Sequence, residues 1–124
     1  MTAALKVSEI LDKATDVIGR NGLVAGLWYV PTDNKSPVDC PVCTGGALAI
    51  AAGFFPDYDG EPSGAYADAV GVLAERLGLD PAQHETAQDV VLYGIAPWSD
   101  TVRNADEVVR ELRAAAASER EAGR

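Results

Sequence analysis

The chain is poor in the residues that carry most enzyme and metal chemistry. It holds one histidine, His84, and two cysteines, Cys40 and Cys43. A structural zinc site usually needs four Cys or His ligands, commonly as two pairs. Asp39 or Asp57 could extend the set, but there is no second pair at any spacing. Cations are scarce too: 10 Lys and Arg stand against 19 Asp and Glu, a net charge of −9. Phosphate-backbone binding needs bases gathered on one face. Here the arginines are interleaved with acids, as in EVVRELRAAAASEREAGR, and nucleic acid is not an expected partner. The acids are in turn too sparse to imitate two rows of phosphates.

Long apolar runs are also missing. The longest candidate, residues 47–55, is less than half of the roughly 20 residues that cross a bilayer. Glu9, Asp12 and Asp16 interrupt the apolar positions of the N-terminal segment, which is unlike a secretory signal. Neither G-x-G-x-x-G nor G-x-x-x-x-G-K-[ST] occurs, so no nucleotide cofactor is expected. The expectation is a cytoplasmic protein with no membrane contact and no cofactor.

What is present is helical periodicity. Val7, Ile10, Leu11, Ala14, Val17 and Ile18 recur at helical spacing over residues 4–20, and GRNG at 19–22 supplies a C-cap. LVAGLWYV (23–30) reads as a short extended segment, and PTDNKSPVD (31–39) as a loop. Residues 44–52 are apolar on nearly every side and predict a helix at the centre of the fold. A third helix runs from Ser63 or Gly64 through Leu77, with Ala65, Ala69, Val70, Leu73 and Leu77 inward. Asp80-Pro81 is a helix-start pair, followed by a helical stretch that buries Val90, Val91 and Tyr93. GIAPWSDTVRN (94–104) reads as a loop. Asn104 and Glu107 approximate a capping box for a last helix, with Val108, Val109, Leu112 and Ala116 inward. The fold expected is mainly α, one domain over 1–124 of about five helices around the central one, with a tail frayed from about 118.

DCPVCTGGALAIAAG (39–53) is the densest candidate for chemistry. A Cys-x-x-Cys opening a helix suits a thiol redox centre, because a helix N-terminus lowers a thiol pKa. That chemistry expects a buried strand before the motif, and here a polar, proline-bearing loop precedes it. Cys43, His84 and a carboxylate could form a hydrolytic set if they met in space. The plainer reading makes Cys43 a small apolar residue packed at a crowded helix start. Gly45 and Gly46 then allow close approach of an indole, with Trp98 as the candidate. Asp100 would accept from N–H groups at the helix start. DYDGE (57–61) fails the register of an EF-hand calcium loop. The aromatics Trp28, Tyr29 and Trp98 read as core anchors, with Phe54 and Phe55 as a partly exposed contact surface.

Taken in order, VSEILDKATDVIGRNG, CTGGAL (43–48), WSD (98–100) and NADEVVRELRAA (104–115) resemble an uncharacterised family of small proteins of actinobacteria and their phages. The family pattern is a Cys-x-x-Gly-Ala-Leu helix followed by a Trp-Asn-Asp turn and a final Glu-Glu-Val helix. Ser99 replaces the usual Asn, and Cys40 lies outside the pattern, so the resemblance counts against zinc and dithiol redox. It implies no activity. The function expected is a non-enzymatic accessory or interaction protein, phage-encoded in one version, with a protein partner or a second copy of itself. The alternative is a thiol enzyme or redox sensor at Cys40 and Cys43 with His84.

Overall fold

The computed structural model describes residues 5–25, 27–54, 56, 64–102 and 104–124. Helix α1, Val7–Asn21, buries Ile10, Leu11, Ala14, Val17 and Ile18 along one stripe. Glu9 accepts from the Lys6 backbone N–H at 2.9 Å, which satisfies a donor at the helix start. Gly22, at φ 96°, ends the helix by donating to the Ile18 carbonyl. That backbone conformation favours glycine, as the GRNG turn predicts.

The 23–30 segment finds a partner, though not a sheet. It wraps around Val42 through two isolated bridges, Leu23 with Val42 and Tyr29 with Val42. Val24 N–H donates to Val42 C=O at 2.8 Å, and Val30 N–H donates to Pro41 C=O at 2.8 Å. Cys43 N–H donates to Trp28 C=O at 3.2 Å. The loop at 31–39 contains one 3-10 turn, Pro37–Asp39.

Helix α2, Thr44–Ala51, leads out of this clamp, and every residue in it except Ile50 is buried. It packs against α1, against α3 (Gly64–Arg76) and against the helical rod beyond. Alanines and glycines make α2 thin enough for neighbours to close on all sides. Each fully buried Leu or Val among those neighbours contributes about 1.5–3 kcal/mol. Helix α3 buries Tyr66, Ala69, Val70, Leu73 and Ala74, and Gly78 at φ 80° follows its last turn.

Asp80 does cap a start, accepting from Ala82 N–H at 3.0 Å, but only a 3-10 turn, Pro81–Gln83, follows. Thr86 instead opens α4, Ala87–Val90, by accepting from Asp89 N–H. The chain continues through a π-helical turn, Val91–Ile95, straight into α5, Ala96–Val102. The loop expected from residue 94 is therefore helix as far as Val102. The physical reason is Pro97: its ring meets the carbonyl four residues back and it has no N–H to donate. Widening to the π register moves that carbonyl aside and lets the rod continue. Val90 and Val91 are buried as expected, but Tyr93 is 69% exposed, with its ring stacked on His84 at 6.5 Å.

Helix α6, Ala105–Glu121, lies along α1 and buries Val108, Leu112, Ala115 and Ala116. Asn104 caps it by accepting from Asp106 N–H at 2.9 Å, while Glu107 pairs with Arg110 at 3.8 Å instead of completing a box. The tail differs from the expected fraying. Arg124 grips buried Glu119 with two hydrogen bonds of 2.9 and 3.1 Å. Its carbonyl accepts from Ser8 N–H, and Arg120 pairs with Asp12.

Candidate functional site

The site grows from the start of α2. Cys43 is its N-cap residue, with extended backbone, and Sγ accepts from Gly46 N–H at 3.3 Å. A side chain with a soft acceptor here takes the place that Ser or Asp usually fills. Thr44, fully buried, shares a 2.7 Å hydrogen bond with the Ser99 hydroxyl, which ties α2 to α5. Ser99 is the residue that departs from the family's Trp-Asn-Asp pattern, yet it makes a polar contact across this junction.

Both glycines are crowded. A Cβ on Gly46 would lie 2.4 Å from the Trp28 carbonyl oxygen, and one on Gly45 would lie 2.5 Å from a Val91 methyl. The indole over Gly45 belongs to Trp28, whose ring would stand 3.2 Å from that Cβ. Trp98, the indole expected there, is part-buried at the edge of the core. Helix α5 reaches the start of α2, where Ser99 bonds Thr44 and the Asp100 charge acts on the Cys43 thiol. The signal for Trp28 was its place in LVAGLWYV, just upstream of the loop that folds back on Val42.

Beside the junction lies a cavity of about 280 Å³. Leu27, Trp28, Val91, Leu92 and Pro97 wall it, and Cys43 and Asp100 also line it. Leu27 is 56% exposed. Burial, the larger effect, pushes the Cys43 thiol above its ordinary value, and the negative charge of Asp100 pushes the same way. The N–H groups of Gly46 and Gly45 pull it down without prevailing. The thiol is therefore protonated at neutral pH, the opposite of an activated nucleophile.

The other expected residues sit elsewhere. Cys40 is fully buried and donates to the Ser36 carbonyl at 3.4 Å; both cysteines are free thiols. His84 stacks on Tyr93 and is not among the residues of the thiol cavity. Among the described residues no three His, Cys, Asp or Glu side chains are grouped to hold a metal ion. Also among them, no helix is long and apolar enough to cross a membrane. Phe54 is part-buried, with its ring 5.2 Å from that of Tyr66. Phe55 and DYDGE lie outside the described residues.

Fold and site together define a small helical domain whose central helix starts at a capped, buried thiol beside an apolar cavity. The chain belongs to a family of unknown function, DUF6197, whose model matches residues 2–118. No curated protein and no solved structure matches it.

Proposed function

We propose that this protein is a non-enzymatic interaction protein, that the Cys-x-x-Cys corner is scaffold, and that the cavity mouth beside it is the contact face. The observation that carries this reading is an apolar-walled cavity whose rim residue Leu27 is more than half exposed. A large aliphatic side chain held in water beside an indole and a proline gains free energy when a partner covers it. The partner is a protein of the compartment in which the chain works, the cytoplasm of an actinobacterium or of a phage-infected one. Leu27→Asp places a charge on the rim while leaving the buried corner untouched. Wild type and variant, each immobilised and offered native lysate, should differ in one stoichiometric partner that only wild type retains. Identical recovery from both proteins would overturn the reading.

A second reading, a thiol enzyme, has one observation in its favour: Cys43 lines that cavity at a helix N-terminus. The upward shift of the thiol weighs against it.

A further inference from the structure

We infer that the outer face of α3 around Val72 pairs with the same face of a second copy of this chain, Asp68 of each copy meeting Arg76 of the other. The surface is separate from the contact face at Leu27 and stands on different residues.

Periodicity places the three residues. Side chains four apart are neighbours on one face of a helix, so Asp68, Val72 and Arg76 follow one another along α3. That face looks outward. Asp68 and Arg76 are exposed, and Val72 is half-buried at the edge of the core. All three line an open groove of about 790 Å³, which Ala115 and Ser118 of α6 line as well.

Within one chain the two charges do not serve each other. Eight residues of helix hold them about 12 Å apart along the axis. Arg76 donates from Nε to Glu111 of α6 at 2.8 Å. That bond anchors the side chain and leaves the donors of its two terminal nitrogens. Among the described residues, none pairs with the Asp68 carboxylate. An acceptor and a set of donors thus stand one turn to either side of an apolar residue.

Two-fold symmetry turns this spacing into complementarity. In a contact between identical faces, each surface meets its own copy reversed. With the axis through Val72, the residue four before the centre faces the residue four after it. Asp68 then meets the partner copy's Arg76, the same pair forms again across the axis, and Val72 packs on Val72. Another protein would have to carry this charge order by chance, whereas a second copy carries it by construction. The net charge of −9 makes two copies repel at long range, but at physiological salt that repulsion is screened beyond about 8 Å. Exposed ion pairs are individually weak, so the dimer is reversible and forms only at high protein concentration.

The test is sedimentation equilibrium of the full chain at physiological salt, from about 10 μM to 1 mM protein. The mass of wild type should climb with concentration from that of one chain toward that of two. Asp68→Arg and Arg76→Asp each set like charges opposite one another. Each, checked for an unchanged circular dichroism spectrum, should weaken pairing by at least about ten-fold. Mixed in equal amounts, the two variants place Arg opposite Asp at both contacts, and pairing should return. Val72→Lys puts two ammonium groups on the axis and should abolish pairing even if Arg76→Asp, having lost its bond to Glu111, does not fold. A wild type that stays at the mass of one chain throughout overturns the inference. So does any folded variant that pairs as well as wild type, or a mixture of the two folded charge reversals that fails to pair.

Discussion

At Gly46 a single added methyl group would stand 2.4 Å from a backbone oxygen, that of Trp28. Backbone cannot swing aside as a side-chain tip can. Gly46→Ala should therefore destabilise by about 3 kcal/mol, read from urea unfolding. Gly71, in the middle of α3, has nothing within 4 Å of where its Cβ would be. Gly71→Ala should instead stabilise by about 0.5–1 kcal/mol, because alanine costs less entropy in a helix. A similar loss at both positions would refute the crowded corner. Cys43 and both glycines were legible as a packed junction because CTGGAL puts small residues where a helix must begin. The identity of the covering indole was not. Trp28 and Trp98 are both single tryptophans in apolar surroundings, and only the fold-back onto Val42 decides between them.

At the scale of elements, the helices with clean periodicity were readable and the interrupted one was not. The α1, α3 and α6 stripes repeat at helical spacing, and Gly22 and Asn104 mark two of their ends. The rod from α4 to α5 was misread because Gly94, Pro97 and Asp100 look like loop formers. Its π turn absorbs the proline, which no local propensity forecasts. The end of α6 was misread for another reason: its anchor is tertiary. The hydrogen bonds from Arg124 are the main cause holding the Glu119 carboxyl below its ordinary range. Depressed in the folded state, that carboxylate contributes stability above its unfolded value, and the contribution is lost as pH falls through the folded one. Arg124→Ala should lower the melting temperature at neutral pH. The gap from wild type should narrow below the ordinary carboxylate range, as followed by calorimetry across pH. A gap that widened in acid would contradict the tie.

At the scale of the whole molecule, the charged side chains among the described residues are exposed or part-buried, Glu119 excepted. The acids and arginines sit mainly on exposed helix faces, while α2 and its two flanking thiols are enclosed. The Cys-x-x-Cys pattern, read alone, suggests a metal or a redox pair. In this fold Cys40 donates to the Ser36 carbonyl, Cys43 accepts from Gly46 N–H, and burial pushes the Cys43 thiol up. The central proposal is that the Cys43 thiol, which caps α2, serves the fold and is not a nucleophile. Its most direct test is the rate of iodoacetamide alkylation of Cys43 against pH, followed by peptide mass spectrometry on the native protein. The expected result is slow labelling at neutral pH, with a rate still climbing above the ordinary thiol value of about 8.5. Fast labelling that has already reached a plateau at neutral pH would contradict it.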